Sequence, residues 1–412
     1  MQKFPFDLPL LLDGGTGSEL IKLGMPPGVS TEKWVCENPD SILDIQRRYI
    51  AAGSDAVLSP TFHCNSHSLG DYDLSDMADE YNLRLGELSK TAAGDGALVL
   101  GDMSPPAVLL KPLGSYDFEY IYEVYARQTR ALERAGVDGY IIETAMTLSE
   151  IRAIALAVRD NTPPDKPLFV TVTVGENGRT ALSGADVLPA LITLQAMGAT
   201  AFGMNCSVGP GQMLKQIRRI APYARVPLIA KPNAGMPTLI GGRTVYNCPP
   251  EEFAQYTRAM AESGVRIFGG CCGTAPEHIA ALRAELDKID FSALPELEKV
   301  DCPVMLADEK NAYFYDPGTK ITLIPCDEDM GENSQELDGI AKITVSSPEE
   351  LSDFAENSYT LSCGLCIDAS DEELLEKALR LYQGRACCQG EKSGIPREFL
   401  EKMRDKYGLL LL

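Results

Sequence analysis

Histidine is nearly missing from this chain, with only His63, His67 and His278 among 412 residues. A metal site built mainly on imidazole is therefore excluded, and any such site must lean on sulfur. Positive charge is also scarce: Lys+Arg total 37 against 59 Asp+Glu, a formal net charge of -22. A chain this acidic repels phosphate backbones and anionic membrane surfaces, so nucleic acid and membrane partners are not expected. No apolar run approaches the roughly 20 residues a membrane helix needs. The apolar stretch at Leu8–Leu12 is broken by Pro9 and is too short for a signal-peptide core. A cytoplasmic protein is the expectation.

Cysteine, by contrast, is plentiful, with twelve residues. In a reducing compartment, clustered cysteines serve as metal ligands or catalytic groups more often than as disulfides. Cys271-Cys272 and Cys387-Cys388 are adjacent pairs, and Cys363 and Cys366 form a Cys-x-x-Cys.

The first ~290 residues alternate short apolar runs with longer amphipathic segments, the pattern of a parallel sheet buried on both faces. Eight strands are predicted: Leu10–Asp13, Asp55–Ser59, Ala97–Gly101, Gly139–Glu143, Leu168–Val174, Ala201–Asn205, Pro227–Lys231 and Arg266–Gly270. Helical stripes lie between them, for example over Phe118–Ala135, Glu251–Ser263 and Ala275–Leu286. Gly53, Gly136, Gly198 and Gly264 each follow a helix end, as left-handed caps do. Eight strands alternating with helices predict an α/β fold, a (β/α)8 TIM barrel, over 1–293; a doubly wound open sheet is the alternative. After Ala293-Leu294-Pro295 a small α/β domain, 294–412, is expected, and 296–412 holds 25 acidic and 12 basic residues. Its predicted strands are Pro303–Leu306, Ala312–Tyr315, Lys320–Ile324, Ile340–Val345 and Leu361–Ile367, with helices over Pro348–Asn357 and Asp371–Tyr382.

Barrels of this kind place their chemistry at the C-terminal ends of strands. Those ends carry Asp13-Gly14-Gly15, Glu143-Thr144, Asn205-Cys206, Pro232-Asn233 and Gly270-Cys271-Cys272-Gly273. Cys206, Cys271 and Cys272 thus converge on one rim, provided the glycines let the chain leave the pleat. Three thiolates with one open position form a catalytic rather than a structural zinc pattern. Such a site suits a thiol substrate, whose sulfur takes the open position and loses its proton near neutral pH. Glu143 and Asp13 are placed to pair with an amino group, the Gly14-Gly15 backbone can receive a carboxylate, and Asn233 can offer a neutral oxygen to the open position. His63 and His67 read as loop residues and His278 as structural. Cys363, Cys366, Cys387 and Cys388 read as core residues, because strand positions three apart face opposite ways.

The strings Asp13-Gly14-Gly15-Thr16-Gly17, Leu110-Lys111-Pro112-Leu113-Gly114, Ile142-Glu143-Thr144, Asn205-Cys206-Ser207, Pro232-Asn233-Ala234-Gly235 and Gly269-Gly270-Cys271-Cys272-Gly273-Thr274 resemble those of the homocysteine S-methyltransferases. Within that family they look closest to the homocysteine-binding module of cobalamin-dependent methionine synthase. The resemblance implies a zinc-dependent methyltransferase that activates homocysteine as a zinc thiolate and converts it to methionine. It implies zinc on Cys206, Cys271 and Cys272, and contacts from Asp13, Gly14 and Glu143 to the amino-acid end. Two departures stand out. Ser59-Pro60-Thr61 replaces the family's Glu-Thr-Asn, and only ~115 residues follow the barrel, with no Asp-x-His-x-x-Gly string for cobalamin. The stretch from Gly364 to Arg385 resembles a single strand–helix unit of a folate domain, so the tail reads as a remnant or a docking domain. The expected donor is a methyl-corrinoid, methylcobalamin carried by a separate protein. The alternatives are a free donor such as S-methylmethionine or a betaine, and a non-enzymatic zinc- and thiol-binding subunit that docks on a corrinoid protein.

Overall fold

A computed structural model describes residues 5–240, 243–390 and 394–412. Eight parallel strands form one sheet: β1 (Leu10–Leu11), β2 (Ala56–Leu58), β3 (Leu98–Met103), β4 (Gly139–Ala145), β5 (Leu168–Val172), β6 (Ala201–Asn205), β7 (Leu228–Lys231) and, after a small antiparallel hairpin of β8 (Thr238–Ile240) and β9 (Arg243–Val245), β10 (Val265–Phe268). The spatial order is β1-β10-β7-β6-β5-β4-β3-β2. The edges close through Asp55, whose N–H donates to the Leu11 carbonyl at 2.7 Å and whose Oδ2 accepts the Leu11 N–H at 2.7 Å. This is the predicted TIM barrel, and the closure rules out an open doubly wound sheet.

The lumen is filled by a cluster of apolar side chains, among them Leu10, Leu58, Ile141, Phe169, Ile229 and Ile267. Gly53, Gly136, Gly198 and Gly264 all have positive φ, as helix caps leading into strands require. The helix expected over Glu251–Ser263 is instead two, Pro250–Ala254 and Thr257–Glu262.

The second unit begins with an antiparallel pair, β11 (Val304–Ala307) and β12 (Ala312–Tyr315), after 287–303, which carry no helix or strand. Five parallel strands follow in sequence order: β13 (Ile321–Leu323), β14 (Ile340–Val345), β15 (Leu365–Ala369), β16 (Cys387–Cys388) and β17 (Leu410–Leu411). A helix separates each pair of neighbours. The winding is that of a barrel wall left open after five strands. Val304, Leu306, Ile340, Cys366 and Cys387 share one cluster, so the β11–β12 pair covers one face of the sheet. Sequence reading missed β16, β17 and the helices Met330–Gln335 and Arg397–Tyr407. The strands are too short for periodicity to register, and the last helix is strongly charged.

The two units are packed tightly. In the helix Leu148–Asn161, eleven consecutive residues from Leu148 to Val158 are buried, because the second unit covers its outer face. Arg152, fully buried, donates to the carbonyls of Leu379 (2.7 Å) and Arg380 (3.3 Å). Glu309 accepts the N–H groups of Leu148 (2.8 Å) and Ser149 (3.0 Å), which caps that helix from across the junction.

Burial pushes the Glu309 carboxyl up to about 8. A carboxyl with a higher pKa in the folded chain holds its proton more tightly there. Its stabilisation is therefore complete below the unfolded value, roughly 4.3, and is lost as pH rises through about 8. Glu309→Gln cannot ionise, so its melting temperature is expected to rise relative to wild type between about pH 5 and pH 8. Thermal melts of both proteins across that window check this; a difference that stays constant or falls contradicts it.

Candidate active site

Strand β10 ends at Phe268, and the chain then turns sharply. Thr274 N–H returns to the Cys271 carbonyl at 3.1 Å, and Gly273 is left-handed with φ 78°. A Cβ at Gly273 would overlap the Tyr246 ring, so only glycine lets the turn close against the hairpin loop. The turn brings Cys271 and Cys272 to face Cys206, just beyond β6. The sulfurs of Cys206 and Cys272 lie 3.9 Å apart and those of Cys271 and Cys272 4.0 Å apart. All three lie within 4.8 Å of one another, the only such group of metal-ligating side chains among the described residues. Cys363, Cys366, Cys387 and Cys388 form no comparable group, and all four are buried in the second unit.

Backbone strain concentrates here. Thr144, Cys206 and Ser207 hold φ of 62°, 62° and 60°, a region costly for residues with side chains and most so for a β-branched one. Asn205 holds the arrangement together. Its Oδ1 accepts from the Thr144 N–H at 2.8 Å and the Thr171 hydroxyl at 2.9 Å. Its Nδ2 donates to Thr144 Oγ1 at 2.8 Å and to Cys271 Sγ at 3.8 Å. One amide thus ties the ends of β4, β5 and β6 to a thiol. Hydrogen bonds from Cys271 and then Cys272 pull the Cys206 thiol down, while the hydrogen bond to Cys206 drives Cys272 up. The three thiols therefore share their protons, and losing one is eased by the other two.

The sulfurs open onto a cavity of about 340 Å³ lined also by Asp13, Gly14, Gly15, Asp102, Glu143 and Lys231. Four of the five expected amino-acid contacts are on this wall. Gly15 is there, but its N–H is taken by Thr274 Oγ1 at 3.0 Å, because the glycine loop packs on the β10 turn; it is not free for a carboxylate. Asn233 is not on the wall. It is 1% exposed, its N–H goes to the Val208 carbonyl at 3.0 Å, and it lies against Cys206 with Oδ1 lacking any partner. His63 lines the cavity and burial lowers its pKa. His67 bonds the Tyr120 hydroxyl at 3.0 Å, and His278 bridges Ala275 N–H and the Cys248 carbonyl, a structural role.

Sequence reading missed Asp102 and Lys231. Asp102 lies just past the apolar run Ala97–Gly101, which stops two residues short of the end of β3 at Met103. Lys231 closed a predicted strand, and a lysine inside an apolar run was itself a signal. It is fully buried and ion-paired with Glu143.

The sequence model of the homocysteine S-methyltransferase family matches residues 10–286. The chain belongs to this family. The match spans the barrel with every residue of the sulfur cluster and stops before β11. Among curated relatives, the methionine synthase of Mycobacterium leprae is 32% identical over 271 residues, 63% of this chain but 22% of that protein. That of Mycobacterium tuberculosis is 33% identical over 261 residues, 61% of this chain and 22% of that protein. The chain therefore spans less than a quarter of the length of either. The metallated form of the homocysteine methyltransferase MmuM from Escherichia coli superposes with a TM-score of 0.57 at 22% identity, over 67% of this chain and 95% of that one. At that identity the likeness supports the barrel fold. Among the described residues, no helix is long and apolar enough to cross a membrane.

Proposed function

We propose that this family member methylates the sulfur of homocysteine to give methionine, using a zinc ion held by Cys206, Cys271 and Cys272. The observation that carries the reading is the meeting of three sulfurs within 4.8 Å on the wall of a cavity that also holds buried carboxylates. The donor set suits zinc, which favours sulfur ligands in tetrahedral sites. The orphaned Asn233 Oδ1 beside Cys206 is a further fit, since a buried oxygen without a partner is costly unless something binds it. Bound there, zinc would lower the pKa of the substrate thiol and fix its sulfur.

The protein's own residues do the rest. Asn205 orients Cys271, and the strained backbone at Cys206 and Ser207 aims the second sulfur. Asp13 and Glu143 face the amino group of the substrate, and Gly14 and Gly15 let their loop pack against Tyr49 and the Cys271–Thr274 turn that carries two of the sulfurs. Methyl transfer forms a sulfur–carbon bond and breaks the carbon–donor bond, whose electron pair leaves with the donor, while the thiol proton passes to solvent. We take the donor to be a methyl-corrinoid presented from outside the barrel, in keeping with the resemblance of residues 10–286 to the homocysteine-binding module of cobalamin-dependent methionine synthase. Residues 294–412 then form a docking domain.

With zinc-loaded protein and homocysteine, methionine is expected to form fastest with methylcobalamin, and at least about tenfold slower with S-methylmethionine or betaine. Faster turnover with either small donor would assign a free donor instead. Homocysteine binding with no turnover from any of the three would favour a binding subunit.

A further inference from the structure

Two buried carboxylate oxygens in the cavity have no hydrogen-bond partner, Asp13 Oδ1 and Asp102 Oδ1. Asp13 is fully buried and Asp102 is 5% exposed. Each residue is otherwise held. Asp13 Oδ2 accepts the Leu58 N–H at 2.9 Å, and the Asp102 carboxylate takes the Met103 N–H. Their backbones are fixed as well: Asp102 N–H donates to Ser59 Oγ at 3.1 Å, and the Asp13 carbonyl accepts from Gly270. Neither side chain is free to swing away in search of a partner.

Glu143 differs. One of its oxygens is bound by the Lys231 ammonium, and Lys231 is also within electrostatic reach of Asp13, Cys271 and Asp102. One internal cation thus serves three buried carboxyls. A buried charge is tolerated only when paired, so the cavity is short of positive charge. The shortfall is local, at the two aspartates, since Lys231 is committed to Glu143.

We infer that Asp102 is a further substrate-binding residue, accepting beside Asp13 the α-ammonium of the thiol substrate, and that Lys231 is a positioning residue that clamps Glu143. This rests on the proposed methylation of an amino-acid thiol. The same cavity holds the three sulfurs, and its ~340 Å³ suits a substrate of that size. Without an ammonium, burial holds the Asp13 carboxyl up at about 7 and keeps Asp102 well above the usual carboxylate range. Arrival of the cation reverses this and releases protons.

The test compares binding of homocysteine and of 4-mercaptobutanoate, which lacks only the amino group, to zinc-loaded wild type and Asp102→Asn by titration calorimetry. Zinc content and melting temperature establish that the variant is loaded and folded. Wild type is expected to prefer homocysteine. Asp102→Asn is expected to weaken homocysteine by about tenfold or more, the scale of a hydrogen bond to a charged group, while 4-mercaptobutanoate binds as before. Loss of affinity for both thiols alike, or for neither, overturns the inference. A second measurement needs only wild type: in buffers of different ionisation enthalpy near pH 7, homocysteine should release more protons than its deaminated analogue. Equal release also overturns the inference. If loaded wild type binds neither thiol, the proposed function fails rather than this refinement of it.

Discussion

Cys272→Ala is expected to lose its zinc and, with it, methionine formation. The cluster has three sulfurs and one neutral amide oxygen nearby, so removing one sulfur leaves two strong ligands. Altering residues that merely support metal ligands costs about 10–100-fold in affinity or activity, and deleting a ligand should cost more. Metal analysis after dialysis against a weak chelator is expected to find about one zinc per wild-type chain and far less in the variant. Because Cys272 is only partly buried in a turn, the melting temperature of the zinc-free proteins should be nearly the same. A variant that keeps its zinc would remove Cys272 from the ligand set.

Lys231→Met carries the second large effect, and it falls on stability. The ammonium sits at the end of β7, fully buried among Glu143, Asp13 and Asp102. Removing one partner of a buried ion pair strands the other, at a cost of about 3–5 kcal/mol. The double variant Lys231→Met, Glu143→Gln removes both charges and should recover much of that loss. Denaturant unfolding of wild type, the two single variants and the double variant measures the coupling. Additive losses would mean that the pair does not interact, and that Lys231 answers instead to the aspartates.

The barrel was legible because its signal is simple. A strand buried on both faces must be a short apolar run, and all eight predicted runs contain or overlap an observed strand. The helix-cap glycines were legible for a steric reason, since their left-handed φ admits little else. The sulfur cluster could be read from strand ends alone, because fold topology brings those ends to one rim. What could not be read was how the ends are held. Asn205 acts through hydrogen bonds to Thr144, Thr171 and Cys271, partners between 34 and 66 positions away, and no local pattern announces them. Gly15 reads locally as a backbone donor for substrate, but Thr274, 259 positions later, occupies its N–H. The second unit was half legible: the β11–β12 pair and β14 match their expected runs closely, whereas β16 and β17 have two residues each. Pairing decides those, not pattern.

Zinc-edge X-ray absorption on the loaded protein, before and after homocysteine, tests the central claim most directly. The account predicts three sulfurs and one oxygen or nitrogen around the metal at first, and four sulfurs once homocysteine is added. A resting site with fewer than three sulfurs, or a sulfur count that does not change on addition, would contradict it.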